Sequence, residues 1–267
     1  MTHDLRIALL QAELEWENKE VNLARFARMF GSLASQPDLV LLPEVFNTAF
    51  SMNPEHLAET MDGPTVEWMV THAAEYQCVV AGTLMIRVRD AYVNRLIWVF
   101  PDGDLGFYDK RHLFRPGGEA GCFMPGKERR AFTVKGWRIL PLTCYDLRFP
   151  VWSMNRYLEE TYEFDVLCYH ANWPATRTFH WRSLLMARAI ENQAYVAAVN
   201  RTGTDGNGIS HSGNSMVISP FGEIFADAGD ASESVLEYSL SYEEMMHYRK
   251  KFFIAPDWDL SANQHNP

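Results

Sequence analysis

Apolar runs recur from residue 5 to residue 240, and helical patterns fill the gaps between them. The strand-like runs are LRIALLQ (5–11), DLVLLPE (38–44), CVVAGTLMI (78–86), VNRLIWVF (93–100), WRILPLTCYD (137–146), DVLCYHAN (165–172), AYVAAVN (194–200), SMVISP (215–220) and SVLEYSL (234–240). Several are apolar almost throughout, as strands covered on both faces are. Helical patterns are predicted at about 18–35, 64–76, 150–160, 178–192 and 241–252. In the fourth of these, Leu184, Leu185, Ala189 and Ile190 keep helical spacing, with Arg182, Arg188 and Glu191 between them. Alternation from end to end, with no Gly/Ser linker and no low-complexity tract, predicts one layered α/β domain.

A chain of 267 residues, 47% of them hydrophobic, can bury a large core. Its net charge of −10 argues against nucleic acid or an anionic membrane as a partner. That charge says little about a small substrate, because one pocket can oppose the whole surface. There is no transmembrane run. The first residues, MTHDLRIALLQAELEW, show neither a basic n-region nor a small-residue cleavage site, so a cytoplasmic protein is expected. Cys78, Cys122, Cys144 and Cys168 form no CxxC pair, which favours neither a disulfide framework nor a zinc site. Cys78 and Cys168 read as core, and Cys122 as partly exposed. Residues 110–130, KRHLFRPGGEAGCFMPGKERR, read as a long irregular loop, a place where function is often found. The tail APDWDLSANQHNP is irregular too.

Three strand ends carry one reactive residue each: Glu44 in LVLLPE, Lys110 in GFYDKRHLF and Cys144 in LPLTCYD. In open α/β folds, ligands bind beyond the carboxyl ends of strands, so the three side chains can converge. The chemistry would be coherent. A carboxylate can take the thiol's proton and later hand it to a leaving group. An ammonium flanked by carboxylates stays charged and can stabilise an oxyanion, with the Tyr145 N–H as a second donor. Each residue also has a plainer reading. A lone Cys144 is more often a small buried hydrophobe, Glu44 a helix-start carboxylate, and Lys110 a surface lysine. Composition and spacing leave both readings open.

These stretches resemble the nitrilase superfamily of carbon–nitrogen hydrolases. The family's Glu–Lys–Cys triad falls on Glu44 in LLPE, Lys110 in YDKRHLF and Cys144 in TCYDLRFP, and its second glutamate falls on Glu119 in RPGGEAG. The likeness extends through ANWP (171–174), residues 180–203 and residues 213–224, so it spans nearly the whole chain. It implies a four-layer α-β-β-α sandwich of two related halves, with residues 1–267 as a single domain, a core over about 4–255 and a tail over 256–267. It implies no metal and no organic cofactor. It also implies a homodimer or higher homo-oligomer, formed through helices of the outer face at RFPVWSMNRYLEE and HWRSLLMARAIENQ, with the tail crossing to the partner.

Within that superfamily the omega-amidase branch is most similar, on CYDLRFP, ANWP, ARAIENQAYVA, NRTGTDGNG and LLPEVFNTAFSMN. The resemblance implies hydrolysis of the terminal amide of 2-oxoglutaramate or succinamate. Where relatives often have a Met-Phe and Thr-Gly-Phe pattern, this chain reads EVFNTAF, so Asn47 and Ala49 are expected to alter the pocket wall. The same triad could instead serve N-carbamoyl amino acids, or the chain could be a non-catalytic metabolite-binding scaffold. The distal carboxylate of an omega-amide needs a cation or donor, and Arg148, Arg177 and Arg182 are the candidates. Arg148 reads equally as a structural ion pair holding the turn after Cys144. Trp173 and Phe46, with Phe50, read either as pocket wall or as core. Asn172 is placed to orient groups near the nucleophile. His112, His170, His180 and His211 read as structural hydrogen-bonding groups, and GTDGNG (203–208) as a turn rather than a phosphate loop.

Overall fold

The structure is a computed structural model that describes residues 3–230 and 233–258. In chain order the first half contains β1 (Leu5–Gln11), α1 (Lys19–Phe30), β2 (Leu39–Leu41), α2 (Pro54–Leu57), α3 (Pro64–Tyr76), β3 (Val79–Val88), β4 (Ala91–Val99) and β5 (Leu105–Asp109). The connection to the second half carries α4 (Glu119–Cys122) and β6 (Phe132–Val134). Then follow β7 (Trp137–Thr143), α5 (Pro150–Ser153), β8 (Tyr157–Leu158), β9 (Thr161–Tyr162), β10 (Val166–Ala171) and α6 (Thr178–Asn192). The last stretch holds β11 (Tyr195–Asn200), β12 (Thr202–Thr204), β13 (Ser210–Ser212), β14 (Met216–Ile218), β15 (Ile224–Asp227), β16 (Ser234–Leu240) and α7 (Tyr242–Lys251).

The strands build two six-stranded mixed sheets, ordered β16-β1-β2-β3-β4-β5 and β15-β14-β11-β10-β7-β6. In each, the three consecutive central strands run parallel: β1-β2-β3 in one, β7-β10-β11 in the other. Alternation along β1 shows the layering. Ile7 and Leu9 enter the core shared by the two sheets, while Ala8 and Leu10 enter the core under the first sheet's helices. Phe26, Met29 and Phe30 of α1 and Val66, Met69 and Ala73 of α3 fill that outer core at helical spacing. On α6, Trp181, Leu185 and Ala189 make the buried stripe that packs on the second sheet. Helix, sheet, sheet and helix are thus stacked as a four-layer α-β-β-α sandwich. Among the described residues no helix is long and apolar enough to cross a membrane.

The helix expected over 150–160 does not form. Only Pro150–Ser153 is helical, and β8 and β9 follow as a hairpin. Asn155 is the reason for the stop. Its buried side chain donates to the Phe164 carbonyl and accepts the Arg156 and Phe164 N–H groups, so it serves the loop instead of a helix. The hairpin turns at Glu159 and Glu160, both at positive φ (49° and 60°), as a type I′ turn requires. Two glutamates give no sequence signal for that turn. GTDGNG is indeed a turn, joining β12 to β13, with Asp205 Oδ1 accepting the Asn207 and Ile209 N–H groups. Residues 256–258 of the tail are seen, with Trp258 edge-on to Tyr162 at 5.8 Å. The rest of the tail, 259–267, lies outside the described residues.

Candidate active site

Glu44 follows β2 by three residues, Lys110 directly follows β5 and Cys144 directly follows β7. All three reach one buried cluster between the sheets. Lys110 Nζ donates to Glu44 Oε1 at 2.8 Å and to Glu119 Oε2 at 2.8 Å. Glu119 comes from the first position of α4, a single turn within the 110–130 connection that the sequence suggests is irregular. The Phe114 N–H donates to Glu119 Oε2 at 2.6 Å and fixes that turn.

Asn94 completes the cluster. Its Nδ2 donates to Glu44 Oε1 at 2.8 Å and to Glu119 Oε1 at 2.9 Å, so both carboxylates share one amide as well as one ammonium. Sequence reading missed it, because in VNRLIWVF it is one polar residue within an apolar run. The signal exists only once β4 lies beside β5, where the Asn94 carbonyl also accepts the Lys110 N–H at 2.9 Å.

Cys144 lies across from these groups on the other sheet. It is 8% exposed. Its thiol faces Glu44 and the Asn172 N–H, both of which act on its proton affinity. Asn172 also donates its N–H to Glu44 Oε2 at 3.1 Å, and its side-chain amide donates to the Glu44 carbonyl. Cys144 sits at φ 41°, and Val45, next to Glu44, sits at φ 42°. A non-glycine residue in this region costs on the order of 1–3 kcal/mol, and a β-branched one is rarer still. Strain therefore brackets the site on both sheets.

Asp146 supplies the restraint that holds the strained turn. Its Oδ2 accepts the Thr143 N–H at 3.0 Å and the Tyr108 hydroxyl at 2.7 Å. Its Oδ1 accepts from the His112 N–H at 3.0 Å and its ring Nδ1 at 2.8 Å. Tyr108 and His112 straddle Lys110 in sequence, and Asp146 lies two residues after Cys144. One buried carboxylate thus sets the Cys144 turn against the strand that leads into Lys110.

Burial raises the Glu44 carboxyl above its ordinary value, with Glu119 adding to it and Lys110 opposing. Burial likewise raises the Cys144 thiol, helped by Glu44 and opposed by Lys110. Burial pulls Lys110 down, but Glu119 and Glu44 outweigh it and leave the ammonium more basic than a free lysine. The arrangement therefore keeps one fixed cation and a carboxylate with a raised proton affinity beside a thiol, which suits proton exchange between the two.

Cys144 lines a cavity of about 20 Å³, and Glu44, Lys110 and Glu119 lie behind it. Asn172, Trp173, Tyr145, Arg148 and Arg177 line it, together with Phe114. Phe46, expected at the pocket, is not there. It is fully buried in the outer core, edge-on to Phe26 at 5.4 Å and 6.0 Å from Trp68. The turn after Glu44 sends Phe50 toward the site instead, with Lys110 Nζ 5.2 Å from its ring centroid. Asn47 is also away from the cavity, bonded to Thr65 Oγ1 at 3.1 Å. Arg182 pairs with Asp227 at 2.7 Å and is not among the lining residues. Arg148 makes no ion pair among the described residues, so it does not hold the turn in that way.

Two sheets facing each other under flanking helices, with glutamate, lysine and cysteine gathered in their midst, are the architecture of a layered α/β hydrolase. The carbon–nitrogen hydrolase family model matches residues 6–250, and the chain belongs to that family. It is 43% identical to omega-amidase YafV of Yersinia enterocolitica over 96% of this chain and 97% of that protein. It is 29% identical to a 2-oxoglutaramate amidase of Bacillus subtilis over 94% of this chain and 96% of that one. A CN-hydrolase superfamily protein of Xanthomonas campestris, solved with an arsenic adduct in its active site, superposes with a TM-score of 0.92. The two are 43% identical over 96% of this chain and 98% of the other.

Proposed function

We propose that this protein is an omega-amidase. It hydrolyses the terminal amide of small omega-amido dicarboxylates, such as 2-oxoglutaramate and succinamate, to the dicarboxylate and ammonia. The observation that carries this reading is the joined Glu44–Lys110–Glu119 cluster meeting Cys144 beside a cavity, in a chain 43% identical to an omega-amidase over nearly its full length.

Glu44 takes the Cys144 proton, and the thiolate adds to the amide carbonyl, forming the C–S bond. Two of the three Lys110 ammonium protons are committed to Glu44 and Glu119, and the third, with the Tyr145 N–H, meets the oxyanion. Protonated Glu44 gives its proton to the departing nitrogen as the C–N bond breaks, leaving a thioester and ammonia. Water, deprotonated by Glu44, attacks the thioester; the C–S bond breaks and the thiol is restored. Glu119 holds Lys110 in place and charged throughout, and Asn172 orients Glu44 against the sulfur.

Residues 1–267 are read as one domain, supported by the family match over 6–250 and by the core shared between the sheets. A homodimer through the outer face is supported by Val151 and Phe179, which are 76% and 80% exposed on α5 and α6. A cytoplasmic setting is supported by four free cysteines, three of them buried.

The test is ammonia release from 2-oxoglutaramate and succinamate, beside N-carbamoyl-β-alanine. Rapid release from the two omega-amides is expected. Turnover of the carbamoyl compound alone would keep the thiol chemistry and reject the substrate class. Asn94 gives a second test. Replacing it by alanine removes a donor from ionised Glu44, which raises that carboxyl. Asn94→Ala is expected to lower kcat about 10–100-fold, change KM little and move the acidic limb of the pH profile upward. A lower melting temperature with an unmoved profile would make Asn94 structural only.

A further inference from the structure

The main-chain ladder between β10 and β11 ends at the pair Ala171 and Asn200. Pro174, a little further on, has no N–H with which to continue it. Trp173, between the two, nevertheless keeps both of its main-chain groups bonded. Its N–H donates to Asn200 Oδ1 at 2.8 Å, and its carbonyl accepts from Asn200 Nδ2 at 3.1 Å. The remaining positions of that side-chain amide are taken as well. Oδ1 accepts the Arg201 N–H at 2.9 Å, and Nδ2 donates to the Gly213 carbonyl at 2.8 Å. Asn200 is thus fully used as donor and as acceptor, at 1% exposure. By contrast, the buried Oδ1 atoms of Asn94 and Asn172 meet no partner among the described residues.

A side-chain amide carries the same donor and acceptor groups as a peptide. Asn200 therefore stands in for one more rung of the second sheet, where the main chain no longer supplies it. What this rung steadies matters to the site. Asn172 lies between the last ladder residue and Trp173, and its N–H donates to Glu44 Oε2 at 3.1 Å. The same N–H lowers the proton affinity of the Cys144 thiol. The Asn172 side-chain amide donates to the Glu44 carbonyl. Asn172 is thus held from both flanks, by the Ala171 ladder on one and by the Asn200 rung on the other. The Trp173 side chain, fixed by the same rung, forms part of the cavity wall.

We propose that Asn200 is a positioning residue: as an added rung of the second sheet it holds Trp173, and through Trp173 it aims the Asn172 N–H at the Glu44–Cys144 pair. The proposal rests on the thiol chemistry of the amidase reading and deepens it. Asn155 repeats the device in another part of the fold. Its Oδ1 accepts the Phe164 N–H at 3.2 Å, and its Nδ2 donates to the Phe164 carbonyl at 2.9 Å. Its other side-chain bonds go to Arg156 and Asn192, so none reaches the buried cluster or the cavity. It supplies a matched control, a buried asparagine with the same structural duty and no link to the site.

Three variants of the full-length enzyme test this role. Asn200→Asp keeps the shape and the acceptor bonds but turns the donor face into oxygen, and Asn200→Ala removes the amide. Both are expected to lower kcat on succinamate by about 10–100-fold with little change in KM. Both should also move the pH midpoint of Cys144 alkylation by iodoacetamide upward, because a donor that favours the thiolate is no longer aimed at it. Asn155→Ala should lower the melting temperature as much while leaving kcat and the alkylation midpoint in place. Losses of rate that follow melting temperature alike in all three, or a loss confined to KM, would overturn the proposal. Should neither Asn200 variant fold, the native enzyme decides. Its Trp173 N–H should exchange with deuterium as slowly as the amides of β10 and β11, and fast exchange would overturn the rung. Alkylation needs no amide substrate, so the two readings separate. A raised midpoint in the variants, with no succinamate turnover by the native enzyme, would keep the role of Asn200 and reject the omega-amidase reading. Rapid native turnover with an unmoved midpoint would do the reverse.

Discussion

Cys144→Ala is expected to lower turnover by on the order of 10⁵-fold or more while leaving a folded protein. The loss follows from chemistry, since no other side chain beside the cavity can form the acyl intermediate. The fold survives because the Glu44–Lys110–Glu119 bonds do not use the sulfur. Nor does the restraint on the turn, which runs through Asp146 to Thr143, Tyr108 and His112. Alanine meets the same positive φ as cysteine, so the backbone strain is unchanged. Ammonia release and thermal melting decide the matter together. A folded variant that still turns over the omega-amides would remove Cys144 from the role of nucleophile.

Lys110→Met carries the second large effect, and it falls on stability as well as rate. The ammonium is bonded to two fully buried carboxylates. Removing one member of a buried charged group costs roughly 3–5 kcal/mol, because the remaining charges stay desolvated and unpaired. Here they also repel. The sign with pH follows from Glu44, already raised by burial even beside Lys110. A carboxyl raised in the folded state stabilises it fully below the unfolded value and loses that contribution as pH rises through the folded value. The variant should therefore be weakest at neutral and alkaline pH and recover toward 4.5, the ordinary glutamate value. Adding Glu119→Gln should restore part of the loss at neutral pH. Urea melts at two pH values check both statements, and a variant equally weakened at both would reject the electrostatic account.

The layered fold can be read from the apolar runs, because strands sandwiched between layers need apolar residues on both faces. The reactive residues are legible for another reason: Glu44, Lys110 and Cys144 stand in motifs that resemble a known family. Local physics alone left Cys144 ambiguous. What escaped depends on partners distant in sequence. Asn94 acquires its role only when two carboxylates arrive from elsewhere in the chain. Phe46 and Phe50 look equivalent after Glu44, yet an irregular turn with Val45 and Ala49 at positive φ sends one to the core and the other toward Lys110. The hairpin at 157–162 lacked any glycine or asparagine to announce it.

Hydrogen bonds also cross directly from one sheet to the other at this centre. His170 Nδ1 meets the Leu42 carbonyl at 2.6 Å, and the Glu44 N–H meets the Ala171 carbonyl at 3.4 Å. Glu44 and Cys144 therefore belong to separate plates, and their spacing is the spacing of the plates. A displacement of about 1 Å between reacting groups can lower a rate by roughly 100-fold. Turnover thus works as a gauge of how well the two halves are docked. On gentle heating the catalytic signal should fade while each plate still keeps its strands.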